Sequence, residues 1–171
     1  LILALLEVET IFQPDLTREA KCIFNTTDTL HPGVDYLINK SEKNYLGGKI
    51  YGLNKPRHFD FLNLRHDPAD LKEIFYKKGW KKIVAFQTRN PMHRAHYEIL
   101  KRAADENEAN ILIHPVVGLT KLGDVNHYTR TKCYQEIIKK FDSDSAMLSL
   151  LPLAMRMGGP REALWHAIIR K

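Results

Sequence analysis

The chain has 171 residues, of which 44% are hydrophobic and 27% are charged, a composition typical of a globular protein. No apolar run approaches the roughly 20 residues that a membrane span needs. The net charge of +6 falls mainly at predicted loops and helix starts, which favours steering of a small polyanion over binding of nucleic acid. Cys22 and Cys133 lie far apart, which argues against a disulfide framework and favours a reducing, cytoplasmic compartment.

Residues 1–57 are predicted to form the end of a β-rich domain. The opening run of residues 1–6 meets Glu7 and lacks a basic flank, which favours a buried strand over a signal peptide. Turn pairs such as Pro32-Gly33 and Gly47-Gly48 separate short apolar stretches. The predicted strands cover residues 3–8, 20–24, 36–38 and 49–53.

From residue 58 the pattern changes to strands that alternate with helices. Asp67 followed by Pro68 is a typical helix start, and Gly79 is a typical helix end. The later strands are predicted over 82–86, 110–117 and 146–151, and the later helices over 92–106, 129–141 and 160–170. This alternation predicts right-handed βαβ units, a parallel sheet and therefore an α/β fold.

Three loops follow the predicted strands of this sheet. Ligands of parallel sheets bind at the carboxyl ends of the strands, so these loops form the candidate binding edge. They cover residues 87–93, 118–128 and 152–160. Lys121, Asp124 and His127 in the second loop either close over a ligand or belong to a plain solvated loop.

The polar segment from Gln87 to His96 is the strongest functional signal in the chain. It lies between an apolar strand and an amphipathic helix, where unpaired backbone N–H groups and the helix dipole favour phosphate. His93 and His96 have i, i+3 spacing and therefore face the same way, so both can donate to phosphate oxygens. A surface helix that happens to carry two histidines is the plain alternative. Zinc hydrolases use H-E-x-x-H instead, a spacing that is absent here.

Two common nucleotide motifs are missing from the chain. The sequence contains neither G-x-x-x-x-G-K-[ST], the P-loop, nor G-x-G-x-x-G, the dinucleotide fingerprint. An α/β nucleotidyltransferase of the H-x-x-H type therefore remains. A second candidate turn, Met157-Gly158-Gly159-Pro160, allows close backbone approach to a ligand, although a plain strand-to-helix loop explains it equally well.

Several other aromatic and histidine residues are expected to have structural roles. Tyr76, Trp80 and Trp165 are predicted to lie in the core, His31 beside a turn is predicted to be structural, and His166 is predicted to be packed. No clear signal attaches to His58, His66 or His114.

The segment 86–96 resembles the signature of the ATP sulfurylase (sulfate adenylyltransferase) family, of the fungal and bacterial single-chain type. Stretches similar to the same family follow in family order, at residues 26–33, 47–48, 114–121, 123–130 and 150–171. The resemblance implies a Rossmann-like nucleotidyltransferase domain over 58–171, preceded by the end of a PUA-like domain over 1–57. A Gly-Arg-Asp-His loop of the family would follow Lys171, so the catalytic domain is expected to be incomplete at its C-terminal end.

The resemblance also implies an activity, the transfer of AMP from ATP to sulfate with release of pyrophosphate. It implies sulfate binding by Gln87 and Arg89 and nucleotide binding by Gln87, Arg89, Asn90, His93, His96, Met157, Gly158 and Gly159. The catalytic residues implied are Thr88, Arg89, Asn90, His93 and His96. Mg²⁺ is expected to accompany ATP without a protein metal site, and a homo-oligomer is expected.

Two other hypotheses compete with this one. The first is another H-x-x-H nucleotidyltransferase that transfers a nucleotide to an alkyl phosphate, against which Gln87 and Arg89 argue because they suit a sulfate-sized oxyanion. The second is a truncated relative that binds nucleotide without turnover.

Overall fold

The computed structural model describes residues 1–118 and 123–171, which form two compact units. The first unit contains Leu1–Asp60 with Arg156–Ile169 and Lys171, and the second contains Phe61–Met155 with Arg170. Within the described residues, no helix is both long enough and apolar enough to cross a membrane. The predicted domain division between residues 57 and 58 stays a prediction.

Strands and helices follow the chain in the order β1 (Ala4–Phe12), α1 (Leu16–Phe24), α2 (Pro32–Asp35), β2 (Tyr45–Gly52), α3 (Pro68–Lys77), β3 (Ile83–Phe86), α4 (Arg94–Asn107), β4 (Asn110–Ile113), α5 (His127–Ile138), β5 (Ala146–Leu148) and α6 (Pro160–Arg170). A π-helical turn over Tyr36–Lys40 continues α2, and a 3₁₀ turn covers Leu62–Leu64. The predicted α/β fold class is confirmed.

Strands β1 and β2 form an antiparallel pair in the first unit. The prediction that the opening strand is buried is wrong, because every residue of β1 is exposed and no core layer of the described residues covers this sheet. Gly47-Gly48 is not a turn but lies inside β2, opposite a register shift between Val8 and Thr10. A Cβ at Gly48 would meet the Glu7 carbonyl oxygen at 1.8 Å, so the bulge requires glycine there.

The predicted strand over 20–24 is wrong, because these residues belong to helix α1. The Asp15 carboxylate accepts a hydrogen bond from the Arg18 N–H at 3.0 Å and caps the helix. Leu16, Ala20 and Phe24 recur every fourth residue, so they form one apolar helical face.

The predicted strand over 36–38 is also wrong, because these residues continue the helical path of α2. Pro32 occupies a first-turn position, and the His31 ring accepts a hydrogen bond from the Gly33 N–H at 3.2 Å. Val34 and Leu37 then pack with Ala20 of α1 in the small core of this unit. The structural role predicted for His31 is confirmed.

The second unit is built on a parallel sheet with strand order β3-β4-β5. Helix α4 connects β3 to β4 and α5 connects β4 to β5, as the alternating pattern predicted. Before the sheet, the Asp67 N–H donates to the Asp70 carboxylate at 2.9 Å at the start of α3. The core between sheet and helices contains Met92, Leu100, Ala104, Ile111, Ile113, Tyr134, Ala146 and Leu148.

Two of the three aromatic residues predicted to be core are exposed. Tyr76 is 86% exposed because it lies on the side of α3 opposite the buried Leu71, and Trp165 is 42% exposed. Trp80 is half-buried, stacks on Phe75, and donates its indole N–H to the Asp144 carbonyl at 3.0 Å. His166 is buried, as predicted.

The core of the second unit is tested by a pair of adjacent residues on α4. Leu100 is 1% exposed and Ile99 is 61% exposed. We expect Leu100→Ala to lower the free energy of unfolding by about 3 kcal/mol, because it leaves a cavity in a close-packed core. The control Ile99→Ala should change it by less than about 0.5 kcal/mol. Urea unfolding followed by tryptophan fluorescence measures both, and equal losses would contradict this packing.

Candidate active site

The carboxyl ends of the parallel strands place the loop after β3 and the described residues that follow β4 at one edge of the second unit. Backbone pairing continues past the strands, since the His114 N–H donates to the Phe86 carbonyl at 2.8 Å and the Val116 N–H to the Thr88 carbonyl at 3.0 Å. Val116 also bridges to Leu151 after β5. Lys121 lies outside the described residues. The segments after the strands are therefore aligned as extensions of the sheet.

The turn after β3 is held by hydrogen bonds to its own backbone. The Thr88 hydroxyl donates to the Asn90 carbonyl at 2.9 Å and accepts from the Asn90 N–H at 3.1 Å. Two side chains of α5 reach the same turn: Arg130 Nη1 donates to the Arg89 carbonyl at 2.6 Å, and the Tyr134 hydroxyl donates to the Asn90 carbonyl at 2.8 Å. The Asn90 N–H is thus occupied, so a ligand contact of Asn90 must come from its side chain.

Arg89 extends from this turn toward the loop that precedes α5. Its Nη1 lies 3.5 Å from the Asp124 carboxylate, and the two side chains are 27% and 11% exposed. Sequence reasoning assigned Asp124 only to a polar loop, whereas the structure places it beside the guanidinium. The ion pair joins two of the three predicted loops and holds a cation at the sheet edge.

His93 and His96 stand together at the start of α4. His93 is the N-cap residue, so the helix begins two residues later than predicted, and Met92 before it is buried in the core. The ring centroids are 3.9 Å apart, and the His93 N–H donates to His96 Nδ1 at 3.3 Å. Burial, with a smaller effect of His93, lowers the pKa of His96. A neutral His96 whose Nδ1 accepts carries its proton on Nε2, and is therefore a donor to a ligand.

The predicted turn Met157-Gly158-Gly159-Pro160 belongs to the first unit, where the side chains of Glu162 and His31 hold its backbone. The Glu162 carboxylate accepts the Arg156 N–H at 2.7 Å and the Gly158 N–H at 2.9 Å. His31 Nε2 lies 3.1 Å from the Met157 carbonyl oxygen and, because its Nδ1 accepts from Gly33, acts as the donor. Met157 has a φ of 59°, a strained value for a residue with a side chain, which these contacts maintain.

The predicted site residues therefore fall into two groups. Gln87, Thr88, Arg89, Asn90, His93 and His96 are brought together at the edge of the parallel sheet of the second unit, whereas Met157, Gly158 and Gly159 form a turn of the first unit. One joint site that contains both groups stays a prediction.

Comparison with known proteins gives the family. The ATP-sulfurylase family model matches residues 62–171, and a PUA-like domain model matches residues 1–55. The chain belongs to the ATP-sulfurylase family. A sulfate adenylyltransferase of Gibberella zeae is 56% identical over 169 residues, which are 99% of this chain and 29% of that protein. The sulfate adenylyltransferase of Schizosaccharomyces pombe is 53% identical over 170 residues, 99% of this chain and 35% of that protein.

A solved structure titled "Hexameric APS kinase from Thiobacillus denitrificans" is also similar. It is 31% identical with a TM-score of 0.75, and the match covers 98% of this chain and 29% of that one. The chain thus spans about a third of the length of the curated relatives quoted above. The predicted resemblance to the family is confirmed over nearly the whole chain.

Sequence reasoning missed the residues that hold these turns of the sulfurylase fold. Arg130 and Tyr134 have i, i+4 spacing on α5 and are fully or almost fully buried, as is Glu162 on α6. Periodicity alone marks Tyr134 as core but gives no reason for a buried arginine or glutamate. Their partners are backbone groups distant in sequence, which only the fold reveals.

His114 follows β4 directly and is buried, although its sequence gave no signal. Its carbonyl accepts from Arg170 Nη2 at 3.2 Å. Burial, followed by the charges of Arg170 and His66, lowers the pKa of His114 to about 4. The folded chain therefore keeps this imidazole neutral at a pH where an unfolded one takes up a proton.

The buried His114 predicts a pH dependence of stability. Above its unfolded pKa of about 6.5, His114 is neutral in both states and does not change the free energy of unfolding. As the pH falls toward 4, only the unfolded state binds the proton and is thereby stabilised. We expect the free energy of unfolding to fall by up to about 3 kcal/mol over this range. Urea unfolding at pH 7 and pH 4.5 should show a smaller fall for His114→Gln. An equal fall in the free energy of unfolding between pH 7 and pH 4.5 in the wild type and in the variant would contradict the prediction.

The Glu162 carboxylate should stabilise the turn of the first unit. Glu162→Ala leaves the buried Gly158 N–H and the part-buried Arg156 N–H without this acceptor, and we expect it to lower the free energy of unfolding by about 3 kcal/mol. The neighbouring Arg161 is exposed, so Arg161→Ala is the matched control. Denaturant unfolding of both variants tests this, and equal stability of the two would show that the carboxylate does not hold the turn.

Proposed function

We propose that this chain carries substrate-binding and catalytic residues of a sulfate adenylyltransferase, which converts ATP and sulfate to adenosine 5′-phosphosulfate and pyrophosphate, reversibly. The observation that carries the proposal is the grouping of the Arg89 cation and the His93–His96 pair at one sheet edge, beside the start of α4. This arrangement offers charge and directed donors where anions bind best. The identity to curated sulfate adenylyltransferases supports the same reaction.

The reaction requires two anions to meet rather than a base. A sulfate oxygen attacks the α-phosphorus of ATP, an O–P bond forms, and the bond to the pyrophosphate oxygen breaks. Sulfate is already a dianion at neutral pH, so no proton has to be removed. Catalysis then depends on positioning and electrostatic stabilisation. Arg89 would grip the sulfate with its planar guanidinium, and Gln87 would add an amide donor.

The histidine pair would stabilise the charge that develops on the phosphates. His96 offers an Nε2–H, since its Nδ1 accepts from the His93 backbone, and His93 stands 3.9 Å away, centroid to centroid. Both would donate to α- and β-phosphate oxygens in the transition state. The Asn90 side chain would bind the phosphates, and Thr88 would act mainly by fixing the turn.

The turn of Met157, Gly158 and Gly159 would line the adenosine pocket. Because Glu162 occupies the N–H groups of Arg156 and Gly158, the turn does not offer these donors to a phosphate. The turn therefore suits the uncharged adenosine better than the triphosphate.

Mg²⁺ would enter with ATP. In the part of the chain that the structure describes, no three His, Cys, Asp or Glu residues group as metal ligands, and the Asp124 carboxylate is paired with Arg89. The residues present fit a Mg²⁺ ion held mainly by triphosphate oxygens and water, where it would neutralise phosphate charge. A homo-oligomeric assembly and a cytoplasmic location complete the proposal; the Thiobacillus relative, titled a hexamer, supports the former.

The decisive experiment is ATP formation from adenosine 5′-phosphosulfate and pyrophosphate with Mg²⁺ by the full-length protein. We expect His93→Ala to lower the rate about 100- to 1000-fold, because it removes a transition-state donor. Lys101→Ala, an exposed change on the same helix, is the control and should leave the rate unchanged. A rate of His93→Ala equal to that of the control would refute the role of the pair.

The acceptor distinguishes the proposal from its competitors. Sulfate should support pyrophosphate release from ATP, whereas alkyl phosphates should not. Turnover with alkyl phosphates alone would identify a different nucleotidyltransferase, and nucleotide binding without any turnover would identify an inactive relative.

A further inference from the structure

The turn after β3 has three consecutive carbonyl groups engaged by donors of the second unit. The Thr88 carbonyl accepts from the Val116 N–H at 3.0 Å, the Arg89 carbonyl from Arg130 at 2.6 Å, and the Asn90 carbonyl from Tyr134 at 2.8 Å. A carbonyl oxygen carries partial negative charge and repels an oxyanion. These hydrogen bonds hold the three carbonyl oxygens against donors of the second unit.

Arg130 is unusual because its charge is buried. It is 2% exposed, and Nη1 also donates to the Val116 carbonyl at 3.1 Å. Among the residues the structure describes, its guanidinium donates to backbone carbonyls and pairs with no carboxylate, and its Nε has no hydrogen-bond partner. Burying an arginine without an ion pair is costly, so a lone buried cation beneath a turn needs an explanation.

We propose that Arg130 is a positioning residue for the oxyanion, with Tyr134 as its partner in holding the turn. The proposal rests on the function proposed above and extends it to side chains behind the turn. Arg130 acts through the Arg89 backbone and through its own charge. The guanidinium fixes the carbonyl from which the Arg89 side chain extends, and its positive field reaches the anion through a poorly screened interior.

The two effects of Arg130 can be separated by substitution. Arg130→Met removes both the donors and the charge, whereas Arg130→Lys keeps the charge and loses the guanidinium geometry. Tyr134→Phe removes the hydroxyl that donates to the Asn90 carbonyl and keeps the charge of Arg130. Lys132→Met, an exposed change on the same helix, removes one charge from the surface and is the matched control.

The experiment uses the full-length protein and two readouts. Inorganic sulfate is titrated by calorimetry into protein saturated with Mg²⁺ and α,β-methylene-ATP, and kcat is measured in the ATP-forming direction. We expect Arg130→Met to weaken sulfate binding about tenfold or more and to lower kcat about 100-fold, because charge and position are both lost. Arg130→Lys should restore most of the sulfate affinity while kcat stays low.

Tyr134→Phe should lower kcat without changing the sulfate affinity, since the buried charge of Arg130 remains. This variant also tests the proposal if Arg130→Met does not fold. The proposal is overturned if Arg130→Met matches Lys132→Met in both readouts, or if Arg130→Lys and Tyr134→Phe both leave kcat at the wild-type value. A wild-type protein that neither binds sulfate nor forms ATP would instead overturn the proposed function, and this inference with it.

Discussion

Hydrogen bonding that continues past the ends of the parallel strands is the constraint on which the candidate site depends. The pairs from His114 to Phe86 and from Val116 to Thr88 extend the β3–β4 ladder into the polar turn. The turn starts in sheet register, so the Thr88 carbonyl accepts from the backbone beyond β4, and the Arg89 and Asn90 carbonyls that follow accept from side chains of α5. The side chains of Gln87, Arg89 and Asn90 are thereby presented from a backbone that the sheet has already fixed.

In each unit, a buried charged side chain holds the backbone of a turn, and the two side chains have opposite charge. In the second unit a buried cation, Arg130, holds carbonyl groups, and in the first unit a buried anion, Glu162, holds N–H groups. Glu162 comes from α6, the helix that directly follows its turn, whereas Arg130 comes from α5, the second helix after its turn. In the function proposed above, the turn held by the cation would receive an oxyanion and the turn held by the carboxylate would receive the uncharged adenosine.

The sequence predicted the elements that rest on strong local signals. Helix α6 matches its predicted range, Pro160–Arg170, because proline marks its start. The predictions over 20–24 and 36–38 failed because short apolar stretches do not distinguish strand from helix, and the Asp15 and His31 caps decide the outcome. The polar segment 87–96 could be recognised because its particular side chains resemble the signature of the family. Arg130, Tyr134 and Glu162 could not, because their partners are backbone atoms whose position only tertiary structure defines.

In the candidate site, histidines offer directed hydrogen-bond donors and arginines carry the positive charge. The ring centroids of His93 and His96 are only 3.9 Å apart, and burial, with a smaller effect of His93, lowers the pKa of His96 and so favours its uncharged form. Two lysines at these positions would repel each other and the positive end of α4. The positive charge comes instead from Arg89, partly balanced by Asp124, and from Arg130 in the interior. In the proposed function, the two rings at the helix start would donate to one phosphate, while the arginines would supply the attraction that brings a second anion beside it.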